Sequence, residues 1–332
     1  MSALAEVTNL NIEFGSGPHG TWPVRDVSFS LNPGETLCIV GESGSGKSLT
    51  GLSMMGLLPP GARRRFGEYR LLGQSLANAS DRHMEDLRGK DLAMIFQEPM
   101  TSLNPSFTIG DQLTESYRRH TGATRRAAQD RAVELLEKVG IAGGRNRLRQ
   151  YPHQLSGGLR QRVMIAMALM CNPKLIIADE PTTALDVTVQ AQILRLLNSL
   201  QEEYGMGLIL ITHDLGVVAK VADKVAVMYA GQIVETGTVA EIFGSPQHPY
   251  TEALLGCIPL LGRTRSGEHL RAIPGTVPAL HGDLGGCHFR NRCDYARPAC
   301  AGQPIDLREI GAGRSARCIL VGDHQPRTEV LP

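Results

Sequence analysis

No stretch of the 332-residue sequence approaches the ~18–20 consecutive apolar residues that a helical membrane span needs. The longest apolar blocks, at 175–178 and 208–211, have the length of strands. The opening MSALAEVTNL lacks the basic flank and long apolar block of a secretory signal. Net charge is nearly absent: 34 Lys and Arg face 33 Asp and Glu, giving +1. That balance offers no broad electrostatic surface for a nucleic-acid partner. There is no sustained heptad run, no internal repeat and no low-complexity tract. These absences point to a cytosolic globular protein whose membrane role, if it has one, comes through a partner. What is present agrees: 42% hydrophobic residues is ordinary for a chain with a real core, and the length suits one large domain or two smaller ones.

Hydrophobic patterning divides the chain. Residues 7–14 and 24–31 partly alternate, Asn32-Pro33-Gly34 marks a turn, and 36–40 is a short apolar strand running into glycine-rich sequence. A helix is expected over 47–58, stopped by Pro59-Pro60-Gly61, and a buried strand over 92–96. From about 98 to 171 the texture is helical, with long charged segments such as 125–139, which reads as a helical subdomain inserted into an α/β core. Strands at 175–179, 208–212 and 225–229 and a helix over 187–204 resume the core. Elements alternating at these lengths predict an α/β fold with a mainly parallel sheet flanked by helices. Beyond about 245, Pro, Gly and Cys break the pattern, so a small appended module is expected.

Gly41-Glu42-Ser43-Gly44-Ser45-Gly46-Lys47-Ser48 matches G-x-x-x-x-G-K-[ST] in full, with a strand before it and a helix, beginning Lys47-Ser48-Leu49, after it. The glycines let the backbone curl so that successive N–H groups face the phosphates of a nucleotide, and the helix adds its positive N-terminal end. Lys47 supplies a cation for the β- and γ-phosphates, and the Ser48 hydroxyl suits Mg²⁺. The strand at 175–179 ends in Asp179-Glu180, both aimed at the carboxyl edge of a sheet, where ligands bind in open α/β folds. Asp179 would hold the Mg²⁺ shell and Glu180 would polarise the attacking water.

Leu155-Ser156-Gly157-Gly158-Leu159-Arg160-Gln161-Arg162 resembles the LSGGQ signature of ABC ATPases. Ser156 offers a hydroxyl, and Gly157-Gly158 bare N–H groups at the start of a helix, a second phosphate-binding surface. Further motifs of that family follow in order: Gln97 resembles the Q-loop glutamine that touches metal and water, Ala184-Leu185-Asp186 the D-loop, and His213 the switch histidine of the γ-phosphate. For the aromatic that stacks on adenine the candidates are Phe14 and, because Phe14 stands far from Lys47, Trp22. The resemblance covers about residues 5–245. It implies a P-loop ABC ATPase core with a β-rich N-terminal subdomain and a helical signature subdomain, in which the signature of one subunit closes on the ATP held by a second. Glu180 and His213 are both present, so the resemblance implies hydrolysis rather than binding alone. A soluble ABC-type ATPase acting on ribosomes or DNA and a regulatory module without turnover are the rival readings.

The tail narrows the branch. His248-Pro249-Tyr250-Thr251 opens a helix expected to end near Cys257, and Cys287-His288-Phe289-Arg290-Asn291-Arg292-Cys293 followed by Cys300 and Cys318 is similar to the C-terminal extension of ATPase subunits of oligopeptide, dipeptide and nickel importers. Gln97-Glu98-Pro99-Met100-Thr101-Ser102-Leu103-Asn104-Pro105 resembles the same branch. In a cytosolic chain four clustered cysteines suggest metal before disulfides. Gaps of five, six and seventeen residues suit an iron–sulfur cluster better than zinc, which favours close pairs, though zinc or no metal stays open. The resemblance extends to a [4Fe–4S] cluster on Cys287, Cys293, Cys300 and Cys318. It also implies domains at 1–245 and 246–332 and a peripheral place on the cytoplasmic face of a bacterial inner membrane. The partners it implies are two permease subunits, a second identical or paralogous ATPase and, indirectly, an extracytoplasmic binding protein. Peptide is the first substrate it suggests, with nickel or glutathione-type peptides behind it.

Overall fold

In the computed structural model, which describes residues 3–15, 20–183, 185–258, 272–282 and 284–322, the alternating N-terminal stretches are two long strands, β1 (Ala5–Phe14) and β2 (Thr21–Leu31). Alternation in β1 is only partial because Asn9 takes a positive φ of 49°, so the inward set steps from Ala5 and Val7 to Leu10 and Ile12. β3 (Thr36–Val40) is buried throughout and leads to α1 (Lys47–Met55). That helix stops short of the expected 47–58. Gly56 adopts a left-handed φ of 67° and returns its N–H to the carbonyls of Leu52 and Ser53, closing the helix before the prolines are reached.

Three short strands follow, β4 (Ala62–Arg65), β5 (Glu68–Leu71) and β6 (Gln74–Ser75). Next come α2 (Asp81–Leu87), β7 (Leu92–Ile95), α3 (Pro99–Ser102), α4 (Ile109–Thr121), α5 (Arg125–Lys138), α6 (Gly144–Arg147) and α7 (Gly157–Ala168). The chain continues through β8 (Leu175–Asp179), α8 (Val187–Tyr204), β9 (Gly207–Thr212), α9 (Leu215–Val221), β10 (Lys224–Tyr229) and β11 (Gln232–Thr238). It closes with α10 (Val239–Gly244), α11 (Pro249–Gly256), β12 (Arg308–Gly311) and β13 (Arg314–Ala316). Among the described residues no helix is long and apolar enough to cross a membrane.

These elements form two compact units. One comprises the residues up to Leu4, Leu31–Glu35 and Asn78–Ile211. Its sheet is parallel: Leu92 stands opposite Leu175 and Ile95 opposite Ala178, and Asp179 stands opposite Ile211 on the next strand. β8 is buried to its last residue, as its unbroken apolar sequence requires when both faces are covered. Helices α3 to α7 fill the region expected to be helical. The starts of α4 and α5 are set by side-chain caps: Thr108 accepts from the N–H of Asp111, and Thr124 from that of Ala127. In α8, Ile193, Leu194, Leu197, Leu200 and Gln201 are buried on one stripe, the spacing of an amphipathic helix.

The second unit comprises Ala5–Ser30, Thr36–Ala77 and the chain from Thr212 onward. β1 is its organising strand, with β2 beside it and β4 and β5 as antiparallel partners. Elsewhere in this unit β3 pairs parallel with β10, Cys38 opposite Val225. β11 then turns back antiparallel on β10, and β13 and β12 extend the antiparallel edge. The mainly parallel expectation thus describes β3, β7, β8, β9 and β10, and the tail adds an antiparallel border.

Candidate functional site

Within the second unit the Gly41–Ser48 loop links β3 to α1, and its curl is built on glycine. Gly41, Gly44 and Gly46 have φ of 151°, 78° and 98°. A Cβ on Gly41 would collide with the carbonyl oxygen of Met228 in β10, and one on Gly46 with that of Pro23 in β2, so the backbone passes these strands as closely as it can. The amide of Gly231 donates to the Ser45 carbonyl at 3.1 Å, which holds the loop from the far side. No side chain caps α1, because its N-cap is Gly46. The first-turn N–H groups therefore keep the orientation that binds anions. Lys47 begins the helix and is buried. Its ammonium donates to the carbonyls of Gly41 at 2.8 Å and Glu42 at 3.0 Å, folding it back over the loop's own curl. Ser43 and Gly44 form the exposed crest, and Ser48 and Leu49 complete the first turn of α1.

The first unit brings together the carboxylate pair and the glutamine. Asp179 is buried at the end of β8. Glu180 turns away from the strand with a left-handed φ of 43°, its N–H donated to the Ile211 carbonyl at 2.9 Å. A non-glycine residue in that region is held there by its surroundings. One carboxylate oxygen of Glu180 accepts from the Gln97 amide at 3.1 Å and from the Thr183 hydroxyl at 2.8 Å. Gln97, exposed just after β7, and Glu180, just after β8, thus meet across neighbouring strand ends. Thr183 was not anticipated as a site residue. A hydroxyl three residues after the second acid is the signal that could have found it.

Ser156 caps α7, its hydroxyl accepting from the Leu159 N–H at 3.4 Å. Gly157 and Gly158 form the first turn. A Cβ on Gly158 would come within 3.1 Å of Val189 in α8, and one on Gly157 within 3.8 Å of Leu185. The signature turn and the D-loop are therefore packed side by side in one unit. Asp186 caps α8, accepting from Val189 N–H at 2.9 Å, while Ala184 lies outside the described residues. His213 follows β9 and is exposed, just ahead of Asp214, whose carboxylate caps α9 through the N–H groups of Gly216 and Val217. Of the two aromatic candidates, Phe14 closes β1 opposite Ala62, half-buried. Trp22 lies under the guanidinium of Arg25, 5.4 Å from the ring centre, and its backbone N–H donates to the Leu280 carbonyl.

The four tail cysteines are unpaired thiols. Burial pushes those of Cys287 and Cys293 up to about 11 and raises that of Cys318, and neighbouring cysteines push each of the three further in the same direction. Among the described residues no three His, Cys, Asp or Glu side chains are arranged to hold a metal ion. Cys300 and Cys318 are buried, and Cys287 and Cys293 are half-buried.

Comparison with known proteins accounts for both halves of the chain. Residues 24–183 match the family model for "ABC transporter", and residues 234–300 that for "Oligopeptide/dipeptide transporter, C-terminal region". The oligopeptide transport ATP-binding protein OppD of Bacillus subtilis is 54% identical over 331 residues, covering 99% of this chain and 92% of the relative. The dipeptide transport ATP-binding protein DppD of Escherichia coli is 47% identical, covering 95% and 96%. Among solved structures, the ATP-binding cassette MJ0796, captured as a dimer in a post-hydrolysis state bound to ADP and Pi, matches with a TM-score of 0.63 at 26% identity, over 71% of this chain and 98% of that one. With relatives this similar over nearly its whole length, the chain belongs to the ABC transporter ATP-binding proteins, in the branch that carries the oligopeptide/dipeptide transporter C-terminal region.

Proposed function

We propose that this chain is the ATP-hydrolysing subunit of an importer for di- and oligopeptides. The observation that carries the nucleotide reading is the uncapped start of α1, with buried Lys47 folded over a loop whose φ values only glycine tolerates. In this reading Gly41, Ser43, Gly44, Ser45, Gly46, Lys47, Ser48 and Leu49 bind the phosphates. Glu180 takes or polarises the proton of the attacking water, Gln97 helps position that water, His213 addresses the γ-phosphate, and Phe14 stacks on adenine. Ser48, Asp179 and Gln97 offer the hard oxygen donors that suit Mg²⁺, which neutralises phosphate charge when bound. Ser156, Gly157 and Gly158 act on the nucleotide of a second ATPase subunit, whose existence the dimeric cassette relative supports. Catalysis then rests on positioning and charge stabilisation as the two subunits close.

The division is proposed at about residue 245, with a nucleotide-binding domain before it and an accessory extension after it; the second family model matches from residue 234. The permease partner is supported by the stretch after Gln97. A cavity of about 1110 Å³ is lined by Ser102, Asn104, Phe107, Gln112, Arg118 and Met167, and the same stretch exposes two hydrophobic residues, Met100 and Phe107, at 67% and 55% exposure. Attachment there would make the chain peripheral to a membrane. Lys47→Ala should weaken Mg-ATP binding about a hundredfold, measured by equilibrium titration of the purified chain, because a charge-assisted contact to phosphate is lost. Unchanged affinity would overturn the reading. Uptake assays with labelled peptides, nickel and glutathione would assign the substrate.

An iron–sulfur cluster in the tail, with zinc as its rival, is supported by ligand type and by local geometry. A backbone N–H reaches each sulfur: from Phe289 to Cys287, Tyr295 to Cys293, Arg297 to Cys300 and Leu320 to Cys318. Such bonds stabilise thiolates. Anaerobically purified protein should contain about four irons per chain. Protein containing neither iron nor zinc would refute a metal in the tail.

A further inference from the structure

Residue Glu42 of the phosphate loop is held at three points. Its carbonyl accepts from Lys47, its N–H donates to the Tyr250 hydroxyl at 2.9 Å, and its carboxylate receives both ends of the Arg292 guanidinium, at 2.6 and 3.0 Å. Two of these partners come from the C-terminal part of the chain. Tyr250 lies in α11, and Arg292 is the second of two arginines in the Cys287–Cys293 segment. The same segment's Phe289 packs edge-on against Tyr229 and Tyr250, with ring centres 5.2 and 5.3 Å away. Arg292 is nearly buried, 5% exposed, and also donates to the carbonyls of Ile273 and Pro274. The fork geometry, together with its bond to Glu42, holds its pKa above the usual arginine range.

A carboxylate inside a loop that receives a triphosphate is a like charge in the wrong place, unless a cation neutralises it and holds it aside. We infer that the cysteine-bearing tail clamps the phosphate loop: Arg292 is a positioning residue that neutralises and orients Glu42 and thereby sets the affinity for ATP. The inference rests on the nucleotide reading of the loop. It also explains why a tail remote in sequence carries a phenylalanine and an arginine between its first two cysteines: both are spent on the loop and its supports, not on sulfur.

The charge argument makes a demand that a purely architectural role does not. Arg292→Ala should weaken binding of a fluorescent ATP analogue with Mg²⁺ about tenfold, because it leaves Glu42 unneutralised. Glu42→Ala combined with Arg292→Ala should recover most of the lost affinity. The deficit of Arg292→Ala should shrink between about 0.05 and 0.5 M salt, as screening requires. If Arg292 only anchors the tail through Ile273 and Pro274, its loss lowers the thermal midpoint and removing Glu42 restores nothing, which overturns the inference. Affinity within twofold of the parent in Arg292→Ala also overturns it. Should Arg292→Ala fail to fold, Arg292→Gln with and without Glu42→Gln carries the same comparison with less loss of packing. Failure of the unmodified full-length chain to bind the analogue would instead strike the nucleotide reading itself.

Discussion

Glu180→Gln should leave Mg-ATP affinity near that of the parent and lower turnover about a thousandfold, the scale of a lost general base. The substitution is nearly isosteric. The residue's left-handed backbone and its N–H bond to Ile211 do not depend on the carboxylate. The oxygen that accepts from Thr183 at 2.8 Å can be kept by the amide. What disappears is the negative charge that, in the proposed mechanism, polarises water. The neighbouring Asp179, buried at the end of β8, is untouched, so metal and nucleotide binding should persist. Because opening of the ATP-closed pair is driven by hydrolysis and product release, the variant should accumulate as an ATP-dependent dimer in size-exclusion chromatography. Near-parental ATPase activity would show that Glu180 is not the base. Thr183→Val offers a finer control: it removes a hydrogen bond that orients Glu180, and should cost only a fraction of that loss.

The elements that carry the proposed site were legible in the sequence because they are written in contiguous residues with sharp local rules. β3, β8 and α8 have the boundaries that apolar runs and caps imply, and the loop and signature motifs carry their glycines where the backbone turns. Local rules fail where structure is conferred by a distant partner. Ala62-Arg63-Arg64-Arg65 has little strand propensity and no apolar face. It is a strand only because β1 lies beside it, with Arg63 opposite Glu13 and ion-paired to it at 2.9 Å. Gly56 ended α1 early, a left-handed cap that the following prolines masked. The tail carries contacts that its cysteine spacing does not announce: Phe289 and Arg292 pack against the loop and its supports, about 250 positions upstream in the case of Glu42. Nothing in spacing could have linked those residues, since contact across such separations is set by the packing of β10, α11 and the loop.

Gly41→Ala and Gly44→Ala should separate sharply, although both alter glycines of one motif with left-handed φ. At Gly44, φ is 78° and nothing lies within 4 Å of the added methyl group, so the cost is confined to backbone strain, about 1 kcal/mol. Gly41 has φ of 151° and sits where β3 gives way to the loop, with its missing Cβ directed at the carbonyl of Met228 and 3.1 Å from the Ser45 hydroxyl. Met228 is fully buried in β10, parallel neighbour of β3, so its carbonyl cannot withdraw without disturbing that pairing. The loop must move instead, and with it the carbonyls of Gly41 and Glu42 that hold Lys47. Gly41→Ala should therefore cost more than about 4 kcal/mol of stability, in the range reserved for backbone collisions in a packed core, and abolish nucleotide binding in any protein that still folds. Denaturant midpoints and ATP titration of the two variants test this directly. Equal midpoints would mean that the close passage of the loop over β10 does not constrain the first glycine, and the rigid phosphate cradle deduced from it would have to be abandoned.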